Sequence, residues 1–406
     1  MPLTLGMIRT KRFQLAFAFL LISALLGASG LKAEGISTPT ANQSATDGKC
    51  LLFIGTYSGA KSKGIYAARM DLATGALNSL GLAAQTPNPT FLAIDSKRRY
   101  LFAANEISRY NGKRAGSISA FSINPETGRL SPIDQHSSIG SGPCDIILDA
   151  ADRNILVANY GSGSLAVFPV LPDGRFGENT AFIQNAGKSI DPSRQEGPHA
   201  HCMVLDAANR FAFACDLGLD KTFICKFDAA RGTLTPNDPP FVPAKPGSGP
   251  RHLAFHPDGR HAYIIHELNS TISVFDYDAE HGALKELQTI STLPEDFKGH
   301  TIAAEIEVHP SGKFLYASNR GHDSIAVFAI DPVKGSLASV EYQPAQGKTP
   351  RHFTFDPTGR YLLVANQDSD NVIVFAIDAN TGRLKATGQM LAVPAPTCIT
   401  FASPAP

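Results

Sequence analysis

Residues 249–270 read Gly-Pro-Arg-His-Leu-Ala-Phe-His-Pro-Asp-Gly-Arg-His-Ala-Tyr-Ile-Ile-His-Glu-Leu-Asn-Ser. Two apolar runs of strand length flank a Pro-Asp-Gly turn, and this pattern predicts a β-hairpin. Arg251 and His252 stand at the start of the first strand, and Glu267 stands at the end of the second. Because antiparallel pairing brings these two ends together, the hairpin places a guanidinium, an imidazole and a carboxylate at one sheet edge.

Variants of this hairpin recur along the chain at intervals of roughly 45 to 55 residues, which indicates a repeat architecture. The second strand of the hairpin has seven copies, beginning at Leu51, Tyr100, Ile155, Phe211, Ala262, Phe314 and Tyr361. Most copies are followed by a polar turn, an alternating apolar strand such as Ser164 to Phe168, and a glycine turn into a short fourth strand. Four-stranded antiparallel units repeated radially predict an all-β fold, a seven-bladed β-propeller.

The two ends of the repeat array predict how the ring closes. The first copy begins at Cys50 without an innermost strand, whereas the chain ends with Pro396-Thr397-Cys398-Ile399-Thr400-Phe401, which is similar to the innermost strands of the other units. We expect this C-terminal strand to complete the first blade, because closure hides the sheet edges. The prediction is one propeller domain over residues 49–403.

The N-terminus has the pattern of a secretory signal. Arg9, Lys11 and Arg12 precede an apolar run at 13–26, and Leu31-Lys32-Ala33 offers a cleavage site. The alternative, a membrane anchor, needs about 20 apolar residues, and this run is shorter. We therefore predict a signal peptide at residues 1–33, a flexible lead-in at 34–48, and a periplasmic or secreted protein with no stable membrane anchor.

The composition restricts the possible partners. Lys plus Arg and Asp plus Glu each number 36, so the formal net charge is zero and gives no reason to expect a nucleic acid partner. The six cysteines lack CxxC spacing. Cys202, Cys215 and Cys225 are close enough to lie on neighbouring strands and to pair in an oxidising compartment, but isolated buried thiols are the preferred interpretation. Cys50 and Cys398 are predicted not to be bridged.

Polar residues that break the repeat are concentrated where loops enter an innermost strand or leave a second strand. The entering positions hold His199, His201, Arg251, His252, Glu305, Arg351 and His352, and the leaving positions hold Glu106, Glu267 and Arg320. Each has a structural alternative, such as a hydrogen-bonded turn histidine or a pairing of Arg251 with Glu267. Their convergence at one channel mouth favours an active site. A metal site is disfavoured because these histidines lack short-range ligand spacing, and no cofactor motif is present.

The same residues carry a resemblance to a known family. The motifs Gly-Pro-Arg251-His252, His266-Glu267, Ala303-Ala304-Glu305, Ser318-Asn319-Arg320 and Pro350-Arg351-His352 resemble those of the seven-bladed propeller lactonases. That family includes the propeller-type 6-phosphogluconolactonases and the fungal carboxy-cis,cis-muconate cyclases. The resemblance spans roughly Cys50 to Phe401 and is most specific between Gly249 and Arg320.

The resemblance implies a catalytic set and a chemistry. The set is His201, or His199 because both fit the motif, with Arg251, Glu267 and Arg320. His199, His252, Glu305, Arg351 and His352 are expected to bind substrate. The arginines would bind an anionic group and polarise the lactone carbonyl, and the histidine would transfer a proton. Glu267 would orient its neighbours or act as a second proton-transfer group.

These features lead to one preferred function and two alternatives. The preferred function is hydrolysis of a sugar or related lactone by a 6-phosphogluconolactonase-type enzyme. The alternatives are a muconate-type lactonising cycloisomerase and a non-enzymatic exported propeller that binds a ligand or protein. The family's phosphorylated substrate is a cytosolic sugar phosphate, so an exported relative is expected to act on a different lactone. The oligomeric state is not predicted.

Overall fold

The computed structural model describes residues 48–402, which form seven antiparallel sheets of four strands each. Blades 1 and 2 contain β1 (Lys49–Thr56), β2 (Gly64–Asp71), β3 (Leu77–Gln85), β4 (Pro89–Ile94), β5 (Tyr100–Asn105), β6 (Ser117–Ile123) and β7 (Leu130–Ser137). Blades 3 and 4 contain β8 (Pro143–Leu148), β9 (Asn154–Asn159), β10 (Ser164–Pro169), β11 (Ala181–Gln184), β12 (Ala200–Leu205), β13 (Phe211–Asp216), β14 (Lys221–Asp228) and β15 (Thr233–Pro243).

The later blades follow the same order from the innermost to the outermost strand. Blades 5 and 6 contain β16 (Pro250–Phe255), β17 (His261–His266), β18 (Thr271–Asp278), β19 (Ala283–Ser291), β20 (Ile302–Val308), β21 (Phe314–Arg320), β22 (Ser324–Ile330) and β23 (Leu337–Pro344). Blade 7 contains β24 (Pro350–Phe355), β25 (Tyr361–Asn366), β26 (Asn371–Ile377) and β27 (Leu384–Ala392), and β28 (Pro396–Phe401) follows it. Within the described range the helical elements are two short 3₁₀ turns, Leu217–Leu219 and Gln367–Ser369.

The predicted seven-bladed propeller and its mode of closure are both confirmed. Strand β28 pairs antiparallel with β1, with Ile54 opposite Ile399, so the end of the chain supplies the innermost strand of blade 1. The predicted signal peptide and nearly all of the lead-in lie outside the described residues. Among residues 48–402 no helix is long and apolar enough to cross a bilayer.

The core is divided into apolar layers between neighbouring blades. Between blades 5 and 6, for example, Tyr263 and Ile265 of β17 pack with Leu315 and Phe328, and all four side chains are fully buried. Strand alternation produces these layers because every second residue of a blade faces the next sheet. Tyr263 also donates a hydrogen bond from its hydroxyl to Gly335 O of blade 6 at 2.9 Å. Packing between these layers therefore fixes each blade against its neighbour, so the loops at the ends of the blades can vary without loss of the fold.

Each innermost strand has a β-bulge close to the channel mouth. In blade 5 the pairing register shifts between Pro250 and His252, and an equivalent shift occurs in each of the other six blades. A bulge inserts one extra residue and re-aims side chains. Successive residues such as Arg251 and His252 can therefore both contact groups of the channel, where a regular strand would turn one of them away.

Five buried cysteines are free thiols, in agreement with the preferred interpretation. The buried free thiols include those of Cys144, Cys202, Cys215, Cys225 and Cys398. Cys202 and Cys215 lie opposite each other on β12 and β13. Burial raises the pKa of Cys202 well above its usual range, and the neighbouring Cys215 raises it further. These thiols therefore act as small apolar side chains of the core.

Candidate active site

A cavity of about 230 Å³ opens at the mouth of the channel, and every blade contributes to its wall. The lining residues are Tyr57, Glu106, Cys144, Tyr160, Arg194, His201, Glu267, Ile302, Arg320 and Arg351. Three residues of the catalytic set, His201, Glu267 and Arg320, are among them. Arg251, the fourth, is buried directly behind and bonds to Glu267. The four residues of the implied catalytic set are thus close together.

Glu267 is the centre of this cluster because three guanidiniums contact its carboxylate. Arg251 Nε and Arg320 Nη2 lie 3.0 and 2.8 Å from Oε2, and Arg194 Nη2 lies 2.5 Å from Oε1. Burial alone would raise the pKa of Glu267, but Arg320, Arg251 and Arg194 lower it to about 2. The carboxylate is therefore ionised at neutral pH and fixes the positions of the three arginines.

His201 lies beside the arginine cluster and is almost fully buried. Its Nε2 is 4.0 Å from Glu267 Oε2, and its Nδ1 is 3.9 Å from the sulfur of Cys144. Burial lowers the pKa of His201 well below its usual range, and the positive charge of Arg251 lowers it further. The imidazole is therefore neutral at neutral pH and can accept a proton.

A second group of residues occupies the opposite wall of the cavity. The Tyr57 hydroxyl donates to Glu106 Oε2 at 2.8 Å, and Arg351 Nη2 donates to the same hydroxyl at 3.0 Å. The guanidinium of Arg351 also lies 5.2 Å from the centre of the Tyr57 ring, within the range of a cation–π contact. Burial raises the pKa of Tyr57, so its hydroxyl stays protonated. This wall offers a guanidinium and hydrogen-bonding oxygens to a ligand.

Three of the predicted substrate-binding residues lie one layer deeper in the channel. His252 Nδ1 is 2.7 Å from Glu305 Oε1, and His352 Nε2 is 3.7 Å from Glu305 Oε2. They line a separate cavity of about 280 Å³, which also contains Asp145 and Glu307. Burial lowers the pKa of His352 to about 4 and also lowers that of His252. His252 is thus a neutral hydrogen-bonding partner of an ionised Glu305, and the neutral His352 lies near the other oxygen of that carboxylate at a distance too long for a hydrogen bond.

The structure separates the two histidines that fit the motif equally well. His199 lies outside the mouth cavity and stacks on the ring of Tyr160 with the ring centres 4.4 Å apart. Its Nδ1 is 3.0 Å from Tyr160 O, and its Nε2 is 3.2 Å from Glu196 Oε1. Only His201 of the two lines the cavity beside Glu267.

Sequence reasoning missed Tyr57, Tyr160 and Arg194. The two tyrosines directly follow the last residue of a second strand, the same position that Glu106 and Glu267 occupy in their blades. A search of that position for all polar residues, and not only charged ones, would have found them. Arg194 belongs to the loop between β11 and β12, which has no counterpart in the repeat, so it left no comparable signal.

Comparisons with known proteins identify the family of this chain. A family model described as a seven-bladed β-propeller lactonase matches residues 51–401. A 6-phosphogluconolactonase of Bacillus subtilis is 35% identical over 353 residues, which cover 87% of this chain and 98% of that protein. A second, from Formosa agariphila, is 33% identical over 347 residues, covering 84% and 96% respectively.

A solved structure also matches over almost its whole length. The periplasmic gluconolactonase of Pseudomonas aeruginosa has a TM-score of 0.82 and 37% sequence identity, and the match covers 88% of this chain and 100% of that one. The family model matches most of the chain, and the relatives match over almost their whole length. The chain therefore belongs to the family of seven-bladed β-propeller lactonases.

Proposed function

We propose that the mouth cavity hydrolyses a sugar lactone, as a lactonase of the 6-phosphogluconolactonase type, with His201 as the proton-transfer group. Family membership supports lactone hydrolysis as the reaction. The observation that carries the proposal is the net positive charge around a neutral imidazole. Four guanidiniums surround the site, whereas only two carboxylates, Glu106 and Glu267, contribute negative charge among the lining residues. An excess of buried positive charge favours a negative charge that develops on a substrate oxygen.

The reaction proceeds through addition and ring opening. His201 accepts a proton as a water oxygen bonds to the lactone carbonyl carbon, and the carbonyl oxygen takes the negative charge. When the tetrahedral intermediate collapses, the bond from the carbonyl carbon to the ring oxygen breaks, and the proton on His201 passes to the departing alkoxide. The product is an open-chain hydroxy acid, and His201 is again neutral.

Glu267 acts in this scheme by orienting the arginines. Guanidiniums already contact both of its oxygens and hold its pKa at about 2, so it is poorly suited to transfer a second proton. Arg320 is the best candidate for the group that stabilises the oxyanion. It lines the cavity together with His201, and Glu267 and Ala303 O hold its guanidinium in place.

The deeper layer supports the base. The Nδ1–H of His252 donates to Glu305, and the His252 ring meets the His201 ring edge to face with the centres 5.2 Å apart. This packing fixes the orientation of His201 towards the cavity. His252, Glu305 and His352 are therefore proposed as positioning residues, whereas Arg351 and Tyr57 are proposed to hold the far end of the substrate.

The substrate and its compartment follow from the N-terminal sequence. We propose that residues 1–33 direct export and that the substrate is a lactone available outside the cytoplasm. A gluconolactone without the phosphate is the simplest member of that class, and the relative from Pseudomonas aeruginosa is named as a periplasmic gluconolactonase. Fractionation of cells that express the full chain tests the export, which is contradicted if the full-length protein stays in the cytoplasm.

The activity is tested with residues 34–406 and a panel of lactones in a pH-stat, with the uncatalysed rate subtracted. The panel contains glucono-1,5-lactone, its 6-phosphate and an aromatic lactone, and a parallel assay follows cyclisation of carboxymuconate. We expect hydrolysis of the sugar lactones and its loss in Arg320→Gln. Cyclisation without hydrolysis would instead favour the cycloisomerase, and no turnover of any compound would favour a binding protein.

A further inference from the structure

A cluster of metal-ligand side chains lies at the end of blade 5 that is opposite the active site. The turn joining β16 to β17 brings together His256, Asp258 and His261, and one donor atom from each lies within 4.8 Å of the others. We propose that this turn binds one divalent transition metal ion, Zn²⁺ or a close equivalent, through the two imidazoles and the carboxylate.

The distances and orientations suit such an ion. His256 Nδ1 lies 3.0 Å from Asp258 Oδ1, and His261 Nδ1 lies 2.9 Å from Asp258 Oδ2. Donor atoms at this spacing can share an ion with bonds of about 2.0 to 2.2 Å. Two imidazoles and one carboxylate are a common ligand set for divalent first-row metals, and they leave positions open for water.

The tautomer of His256 is already the one that a ligand needs. Its Nε2 is 2.7 Å from Gly312 O, a group that can only accept, so Nε2 carries the proton and the Nδ1 lone pair accepts the backbone N–H of Asp258, with Asp258 Oδ1 also 3.0 Å from Nδ1. Metal-bound histidines usually donate their second nitrogen to a carbonyl or carboxylate in this way.

Four contacts compete with the ion and limit its affinity. His261 Nδ1 donates a hydrogen bond to Asp258 Oδ2 at 2.9 Å, so this imidazole must take its other tautomer to bind a metal, and the backbone N–H of Arg260 donates to Asp258 Oδ1 at 2.7 Å. The backbone N–H of Asp258 lies 3.1 Å from His256 Nδ1, and Arg260 Nη2 lies 3.4 Å from Asp258 Oδ2. The Arg260 side chain is 63% exposed, so water screens its charge. We therefore expect micromolar rather than nanomolar binding.

The equivalent turn in blade 6 shows that this turn can fold without all three ligand residues. In blade 6 the equivalent turn has His309, Ser311 and Phe314. His309 makes the same contacts as its counterpart, with Nε2 2.8 Å from Gly359 O and Nδ1 receiving the N–H of Ser311 at 3.1 Å. The carboxylate and the second imidazole of blade 5 are thus additions to a turn that folds without them.

In blades 4 and 6 the position equivalent to His261 holds a phenylalanine whose ring has a structural role. In blades 4 and 6, Phe211 and Phe314 pack on glycines of the next blade, so closely that an added Cβ would lie 2.4 and 2.5 Å from the rings. His261 packs on Gly335 in the same way. Phenylalanine would therefore preserve this contact and remove only the ligand.

The test uses tag-free mature chain that has been treated with EDTA and then dialysed. Zn²⁺ is titrated by calorimetry, and Co²⁺ is followed by its visible absorption. We expect the wild type to bind one equivalent of metal. His261→Phe and Asp258→Ser, which each introduce the residue found at the equivalent position of blade 6, should bind at least about tenfold more weakly. The same ion should raise the Tm of the wild type and not of these variants.

The matched control is His309→Asp, which converts the blade 6 turn to the pattern of blade 7, where Asp356 holds this position. It should bind Zn²⁺ as the wild type does. The proposal is overturned if the wild type binds no Zn²⁺ at a hundredfold excess over protein, or if His261→Phe and Asp258→Ser bind with wild-type affinity. Neither readout depends on lactone hydrolysis.

Discussion

Replacing Glu267 with glutamine should remove the charge that holds the active-site arginines. The substitution keeps the shape of the side chain, but it leaves Arg251 and Arg320 buried without a counter-charge. Arg194 is 34% exposed, so its pairing with Glu267 is screened and adds less. We expect a large loss of stability together with disordered arginines and a lower kcat.

The magnitude follows from the pKa of the carboxyl group. The pKa of Glu267 falls from an ordinary value of 4.5 to about 2. Because each pKa unit corresponds to about 1.4 kcal/mol, the folded protein favours the ionised form by a net of about 3 kcal/mol, the arginines outweighing the cost of burial. Removing one partner of a buried ion pair typically costs about 3 to 5 kcal/mol. The two figures agree, so Glu267→Gln should lower the free energy of unfolding by about 3 to 5 kcal/mol at pH 7.

Urea denaturation of the wild type and the variant between pH 7 and pH 3 measures this effect. A depressed carboxyl pKa contributes stability above the unfolded value near 4.5 and loses it as the pH falls towards 2. The difference in free energy of unfolding between the wild type and Glu267→Gln should therefore be constant from pH 7 to 5 and should decrease below about pH 4.5. The control is Glu106→Gln, which weakens the hydrogen bonding with Tyr57 and should cost about 1 kcal/mol. A gap below about 0.5 kcal/mol for Glu267→Gln would refute the reasoning.

Three further predictions concern acid stability, substrate charge and ring closure. Burial lowers the pKa of His266 to about 4, so the unfolded chain binds a proton at this histidine before the folded protein does as the pH falls. Between pH 7.5 and 5 the free energy of unfolding of the wild type should therefore fall by about 2 kcal/mol more than that of His266→Asn. Urea denaturation at both pH values would measure this difference. Arg351→Gln should raise the KM for a phosphorylated lactone about tenfold more than for a neutral one, which steady-state kinetics with both substrates would measure. Deleting residues 394–406 removes β28 and should abolish the folded monomer in size-exclusion chromatography, whereas deleting 403–406 should not.

The fold could be predicted almost completely because the propeller repeats one local pattern seven times. Each unit repeats the same alternation of apolar residues and the same turns, so the weak signal of one strand is reinforced by its copies. The unpaired strand at Pro396–Phe401 predicted the closure for the same reason, since it matched a strand that the first unit lacked. The bulges near the mouth were not predicted, because an extra residue in the pairing register leaves no mark on the hydrophobic pattern.

The candidate site could be predicted only in part. Arg251, Glu267 and Arg320 interrupt the repeat at strand ends, so their convergence followed from the topology, and both arginines contact the carboxylate of Glu267 in the structure. The deeper location of His252 depends on the bulge and could not be derived from strand alternation. Arg194 comes from a loop with no repeat counterpart, so no sequence position could assign it to the mouth.

The central claim is that a neutral His201 transfers the proton in lactone hydrolysis, and the kinetics of His201→Gln test it most directly. Initial rates with glucono-1,5-lactone in a pH-stat should show a kcat reduced about 10²- to 10⁴-fold, with KM changed only a few-fold. The kcat/KM of the wild type should be flat through neutral pH and fall only in acid, well below the ordinary histidine pKa, as His201 gains its proton. A His201→Gln variant that keeps the wild-type kcat would contradict the account.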